Sequence, residues 1–252
     1  MRQAFPDGSV WVRTEPIGFL ELDHETPAHA HDWHQLTFAL SGHLEVETEQ
    51  AKAIVPPDRA VWVPAGLMHR ERMRAPVAVR TLYFAPGAIR DAPSMTRTLE
   101  VSPLLRELIA HVSPLGALDR STARHAPLID VLLDLLDGAP EVSLRLPTPR
   151  DPRARRLAER VHADPGGRER IPQLAARAGA SRRTLERLFL KETGLSIGEW
   201  RRRARLLASF RRLEQGAAVA DVAEEAGYAS ASAFGAAFTK FFGSSPRRAR
   251  KR

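Results

Sequence analysis

The chain has no cysteine among its 252 residues. That excludes disulfides and every thiolate metal site, so a bound metal would need nitrogen or oxygen ligands. Aromatic residues make up only 6%, little material for the base-stacking platforms of RNA binders. No apolar run approaches the ~18 residues that span a bilayer, and Met1–Ser9 lacks a charged-then-apolar signal pattern. A soluble, cytoplasmic protein with no membrane partner is expected. The length suffices for two modest domains, each with its own core.

What the chain does have is charge, unevenly placed. Residues 151–252 hold 23 Lys/Arg against 11 Asp/Glu, a net of +12, while residues 1–150 hold 15 against 19, a net of −4. A basic module joined to a mildly acidic one suggests that the C-terminal part meets a polyanion, although a solvated Arg-rich surface gives the same count. The pattern changes at the same place. Leu36–Leu40, Leu44–Glu49, Val61–Val63 and Val77–Phe84 read as short strands punctuated by Gly, Pro and Asp, as in an antiparallel barrel or sandwich. Residues 101–113 and 122–137 read as helices. Prolines 140, 147, 149 and 152 crowd the stretch that follows, and Asp151-Pro152 reads as an N-cap and first helical position. The fold class expected is α+β, with residues 1–138 as a β-barrel followed by two helices, 139–150 as a linker and 151–252 as an all-α domain.

The all-α region contains a repeat. Ile171-Pro-Gln-Leu-Ala-Ala-Arg-Ala-Gly179 aligns with Val219-Ala-Asp-Val-Ala-Glu-Glu-Ala-Gly227 at an offset of 48, and Leu185, Phe189 and Gly194 align with Phe234, Phe238 and Gly243 at 49. Each copy reads as a short helix, a Gly turn, a Ser N-cap (Ser181, Ser230) and a second helix, which is a helix-turn-helix layout. Ala175 and Ala223 allow close helix crossing, and Gly179 and Gly227 allow a positive-φ exit. Ser196–Glu214 reads as one long connecting helix.

From Leu174 to Arg250 the chain resembles the AraC/XylS-type DNA-binding domain. The matching run is Leu-Ala…Gly-Ala-Ser-Arg-Arg-Thr-Leu-Glu-Arg-Leu-Phe…Gly-Leu-Ser, then Trp200-Arg…Arg205-Leu-Leu-Ala-Ser, then Val222-Ala…Gly-Tyr-Ala-Ser-Ala-Ser-Ala-Phe…Phe-Phe-Gly-Ser-Ser-Pro-Arg-Arg. The resemblance implies a transcription factor that places two recognition helices in successive major grooves of double-stranded DNA, with RNA polymerase as a further partner. From the Ser181 cap, Leu185, Leu188 and Phe189 form an apolar stripe, and Arg182, Arg183, Glu186 and Arg187 fall on the open side. Arg reads guanine bidentately and Glu accepts from cytosine. The second recognition helix offers mostly small residues, Ala231, Ser232, Gly235 and Ala236, after its Ser230 cap. The first unit is therefore expected to read bases and the second mainly to position. Arg201, Arg202, Arg203, Arg205, Lys240, Arg247 and Arg248 are the phosphate-contact candidates.

The N-terminal part carries His29-Ala-His31-Asp-Trp-His-Gln35, then six residues and Gly42, and later Pro64-Ala-Gly66-Leu-Met-His69. These resemble the two cupin motifs, with Gln35 in place of the family's Glu ligand and Asp58 in place of the opening Gly. Strand alternation would put His29 and His31 on one face, where His69 could join them inside a cupin-like barrel. Three imidazoles and one amide oxygen could hold a divalent transition metal; a polar pocket for a small-molecule effector, without metal, uses the same residues. No cofactor is otherwise called for. His34 and His43 read as exposed, Trp33 and Trp62 as packing. The helix Leu128–Leu136 is apolar on more than one face, which points to a homodimer. Two function classes follow: a ligand-responsive transcriptional regulator that is not an enzyme, and a cupin metalloenzyme with a nucleic-acid-binding appendage. An RNA-binding or architectural protein fits the repeat less well.

Overall fold

The structure, a computed structural model, describes residues 9–15, 18–142, 144–167 and 169–250. Met1–Gly8, most of the stretch read for a signal, lie outside the described residues. Contacts divide the chain into two units, Met1–Arg145 and Leu146–Arg252.

The first unit is an antiparallel sheet with two helices. Its strands are β1 (Val10–Glu15), β2 (Phe19–Leu20), β3 (His24–Glu25), β4 (His34–Thr48), β5 (Ala51–Val55), β6 (Arg59–Val63), β7 (His69–Phe84), β8 (Arg97–Glu100) and β9 (Ala117–Asp119), and its helices are α1 (Pro103–Val112) and α2 (Ala126–Asp137). The two long strands β4 and β7 pair from His34↔Phe84 to Thr48↔His69. β4 also pairs with β6 through its first half and with β5 through its second. The two short strands expected at Leu36–Leu40 and Leu44–Glu49 are therefore one. Gly42, which reads as a turn, is instead part of a bulge with φ +68°. A Cβ there would lie 2.6 Å from Pro76 O, so only glycine lets β7 approach and β4 run on.

Period-2 alternation sorts these strands into two faces. Leu36 and Phe38 of β4, Ala60 and Trp62 of β6, and Leu82 and Phe84 of β7 pack against Leu105, Ile109 and Val112 of α1 and Ile129, Leu132 and Leu136 of α2. Ala39, Val61, Val63 and Val79 meet Leu44, Val46, Val55 and Met73 in a second cluster, which brings the two halves of the sheet face to face. Helix α1 starts where Ser102 accepts from Leu105 N. Helix α2 begins four residues later than the sequence suggests, because 120–125 form a turn in which His125 Nδ1 accepts from Asp119 N at 3.2 Å.

A short strand, β10 (Arg145–Pro147), spans the division between the units. The second unit is helical: α3 (Pro152–Ala163), α4 (Ile171–Arg177), α5 (Arg182–Thr193), α6 (Ile197–Glu214), α7 (Val219–Glu225), α8 (Ala231–Phe242) and α9 (Pro246–Ala249). Asp151 caps α3 through Arg153 N. Gly179 and Gly227 leave the short helices at φ +77° and +74°, and Gly194 and Gly243 close the longer ones at +72° and +73°, so the repeat is kept in backbone as well as sequence. One core gathers Leu185, Leu188, Phe189, Ile197 and Trp200, with the Phe189 and Trp200 rings edge to face at 5.7 Å. The other gathers Phe210, Phe234, Phe238 and Phe242.

Candidate nucleic-acid interface and histidine site

Helix α5 is held by its cap and its apolar stripe. Ser181 Oγ accepts from Thr184 N at 3.1 Å, and Leu185, Leu188 and Phe189 are buried. That leaves Arg182, Arg183 and Arg187 exposed. Glu186 departs from its expected place on the open face. Its Oε2 accepts from Ile197 N at 3.1 Å, satisfying one of the unpaired N–H groups at the start of α6, while Oε1 lies 3.8 Å from Arg182 Nε. The α5 carboxylate thus serves the α5–α6 corner, and the arginines are its outward-facing chemistry.

In the second copy Ser230 Oγ accepts from Ala233 N at 3.1 Å. Ala231, Ser232, Ala236 and Lys240 are exposed and Gly235 is half-buried, a surface of small side chains with one cation. Among the phosphate candidates, four are committed elsewhere. Arg201 donates to Glu169 O at 2.6 Å and to Gly167 O, and Arg205 donates to Pro165 O at 3.0 Å and Gly167 O at 3.2 Å. These two arginines tie the α3–α4 connection to α6. Arg202 and Arg203 share Glu199 at 2.5 and 3.3 Å. Lys240, Arg247 and Arg248 remain on the surface. Arg201 and Arg205 are claimed by loop carbonyls within reach of their five donors, whereas Arg202 and Arg203 pair with a carboxylate three and four residues away on the same helix.

In the first unit, His29, His31 and His69 come together, with one ring nitrogen of each within 4.8 Å of the others. They are not on one regular strand as alternation suggests. His29 forms an isolated bridge with His69, through His29 N→His69 O and His69 N→His29 O, both 2.9 Å. Each Nδ1 donates to a carbonyl two residues away: His29 to Pro27 at 2.8 Å, His31 to Trp33 at 2.8 Å and His69 to Leu67 at 2.9 Å. Since a carbonyl only accepts, all three Nδ1 atoms carry protons, and the three Nε2 atoms are the ones turned toward one another. His69 Nε2 is buried with no hydrogen-bond partner. Burial, opposed by the Leu67 carbonyl and reinforced by the neighbouring His29 and His31, drives the His69 pKa down to about 4.

Around these rings lie Gln35 of the first motif and two residues that no motif marks, Glu71 and Tyr83. Gln35 Oε1 is 2.6 Å from His31 Nε2, and Gln35 Nε2 donates to Thr37 Oγ1 at 2.7 Å and Glu71 Oε1 at 2.8 Å. Glu71 is buried, and burial raises its pKa against the opposing pull of His29, Thr37 and Gln35. Tyr83 stands edge-on to His31 at 5.4 Å and 5.6 Å from Trp33, and burial raises its pKa too. Glu71 was discoverable in the sequence: it lies two residues after His69, hence on the same strand face. His34 and His43, read as exposed, are buried. His34 stacks on Trp62 at 4.9 Å and accepts from Ala65 N; His43 sits by the bulge, 3.6 Å from Glu45.

Three imidazoles presenting Nε2 lone pairs, each ring fixed by a backbone carbonyl, form a donor set suited to zinc, cobalt, nickel or iron. The buried, unpartnered His69 Nε2 is the observation that such an ion would satisfy.

Residues 174–252 match a family described as a helix-turn-helix domain. The HTH-type transcriptional regulator NimR of Escherichia coli (strain K12) is 35% identical over 223 residues, covering 88% of this chain and 81% of that protein. An AraC-like transcription regulator of Streptomyces antibioticus is 35% identical over 214 residues, covering 83% of this chain and 62% of that protein. Among solved structures, the DNA-binding domain of AdpA, the global transcriptional factor, in complex with a target DNA, is 33% identical with a TM-score of 0.36, covering 39% of this chain and 89% of that one. The similarity to NimR runs through both units, and the chain belongs to the AraC-type helix-turn-helix transcriptional regulators.

Proposed function

We propose that residues 151–252 read DNA through two helix-turn-helix units and that the N-terminal unit is a cupin-like sensor that controls them. The observation that carries the first part is the duplicated helix pair with Arg183 and Arg187 exposed on α5, one turn apart. Two Arg side chains at that spacing match adjacent guanine edges in a major groove, and the small side chains of α8 let its backbone approach the duplex and position it. Lys240, Arg247 and Arg248, with the Ser181 and Ser230 caps, contact phosphates. Membership of a family of transcriptional regulators supports this reading over the enzyme alternative. Such a regulator works in the cytoplasm, with RNA polymerase as its downstream partner.

The input is received at His29, His31, Gln35 and His69. A divalent transition metal held by the three Nε2 atoms would supply Lewis acidity and an anchoring charge for a small-molecule effector lying against Trp33 and Tyr83. The protein acts as a homodimer. Leu104 of α1 and Val131 of α2 are 60% and 45% exposed, with Leu108, Leu128 and Leu135 half-buried beside them, and a second copy would cover this face.

The test is selection of genomic DNA fragments by the purified full chain, followed by footprinting of the enriched sites. The expected result is a recurring motif protected on one face over two successive major grooves. Recovery of fragments with no shared motif would overturn the reading of α5 as a base-reading helix.

A further inference from the structure

The metal reading leaves a difficulty in the first unit. The usual carboxylate position holds the neutral amide of Gln35, so three imidazoles and an amide would face a divalent ion with no compensating charge, in a buried site where uncompensated charge is costly. From the hydrogen bonds we infer that Glu71 is the positioning carboxyl group of this centre: through Gln35 it fixes the amide oxygen toward the histidines. The inference rests on the metal reading proposed above.

The argument begins with His31. Its Nδ1 donates to Trp33 O, so in the neutral ring Nε2 is a lone pair. Gln35 Oε1 lies 2.6 Å from that atom. Two acceptors at this distance repel unless a cation lies between them: either a proton on Nε2, donated to the amide oxygen, or a transition ion bound by His31 Nε2 and Gln35 Oε1. An amide can turn over, placing its NH2 toward His31 instead. What holds it is the other end. Gln35 Nε2 donates to Glu71 Oε1 at 2.8 Å, and Thr37 Oγ1 reaches the same oxygen at 3.3 Å. The Glu71 oxygen that faces the amide is the acceptor of this bond, so Glu71 selects the amide orientation that points oxygen at the imidazoles. The same bond polarises the amide and makes Oε1 a stronger donor, as outer carboxylates do for metal-bound residues. The carboxyl group absent from position 35 of β4 is thus found at position 71 of β7, two residues after His69.

Glu71 acts through Gln35, so the test must read more than loss of function. Cobalt(II) is titrated into the chelator-treated full-length chain, with affinity and ligand-field absorption measured for the parent, Glu71→Gln, His31→Ala and the exchange variant Gln35→Glu/Glu71→Gln. The parent should take up one ion per chain, and His31→Ala should lose it. Glu71→Gln, nearly isosteric, should bind about 10–100-fold more weakly with a shifted visible band. The exchange variant returns the carboxylate to β4 and leaves an amide at 71 to donate to it, so binding should return to within a few-fold of the parent. If Glu71→Gln binds cobalt as the parent does, the inference falls and the metal reading stands. If the folded exchange variant stays as weak as the single variant, Glu71 only fills space and the inference is overturned. A parent that binds no cobalt overturns both. Near-ultraviolet circular dichroism reports folding throughout; should Glu71→Gln fail to fold, the exchange variant must match the parent or the inference is lost.

Discussion

Arg187 stands on the exposed side of α5 one helical turn beyond Arg183, and the neighbouring Glu186 is turned to Ile197 N. Arg187→Ala should therefore relax base preference at one position of the target and cost about 1–3 kcal/mol of binding. Ser232→Ala on α8 should change binding far less, because its side chain is short and weakly discriminating. Quantitative gel shifts over a set of single-base target variants measure both, and equal losses would refute the dominance of the first unit. In the sensor, pH reports on the buried histidines. Burial holds the His69 pKa at about 4, against an ordinary value of 6.5, and lowers that of His34 as well. The unfolded chain then takes up protons that the folded chain refuses between pH 6.5 and 4, so unfolding is favoured as pH falls through that window. For His69 alone the loss amounts to about 3 kcal/mol, complete near pH 4 and absent above 6.5. Thermal melts of the chelated protein at pH 7 and pH 5 should show it, and His69→Gln should flatten much of the difference. Motif spacing made the three histidines legible in the sequence. Glu71 was overlooked because a lone acid in a strand reads as an outward-facing charge until its neighbour's direction is considered.

At the scale of elements, helices announce themselves more clearly than the strands do. Caps, apolar stripes and exit glycines are local, so the start of α3 at Asp151-Pro152 and both long repeat helices could be located from the residues alone. Strand β4 could not, because whether Gly42 is a turn or a bulge depends on how near β7 comes, which is a tertiary fact. Arginine has the same property: a count of positive charges says nothing about carbonyls within reach. Arg205 illustrates this. It donates to Pro165 O and Gly167 O, and its guanidinium lies 3.3 Å from where a Cβ on Gly227 would sit, so it braces α6 against the loop before α4 and the turn after α7. Arg205→Ala should destabilise the helical unit by about 1–3 kcal/mol, leaving the Pro165 carbonyl without its donor and Gly167 O with only Arg201, while the slope of log affinity against log salt stays as in the parent. Lys240→Ala should do the reverse, leaving urea stability unchanged and reducing the slope by about 1, as removal of one phosphate contact does. If Arg205→Ala lowers the salt slope and spares stability, its assignment as a brace is wrong.

For the whole molecule, the question is where one unit ends. Prolines 140, 147 and 149 make 139–150 read as a linker, yet hydrogen bonds engage this stretch from both sides. Val142 N donates to Thr98 O and Glu100 N to Pro140 O within the first unit. Within the second, Pro147 O accepts from Trp200 Nε1 at 2.7 Å, and Glu192 accepts from Arg150 N and Asp151 N. Proline content reports only that a helix cannot pass through; it does not show which carbonyls a nearby indole needs. Trp200 is 3% exposed and packs on Phe189, so its N–H cannot turn to water without opening the core of the first helix pair. A fragment of residues 146–252 keeps Pro147, whereas one of residues 151–252 does not. Both contain the repeated helices and their caps, and both should fold and bind target DNA, since each core of the helical unit lies beyond residue 151. The shorter fragment, however, loses the Pro147 carbonyl that accepts from Trp200 Nε1, a hydrogen bond worth about 0.5–1.5 kcal/mol. Urea denaturation followed by tryptophan fluorescence should place its midpoint below that of the longer fragment, with the slopes alike. Coincident midpoints would mean that Trp200 finds another acceptor and that Pro147 belongs to the connection rather than to the core.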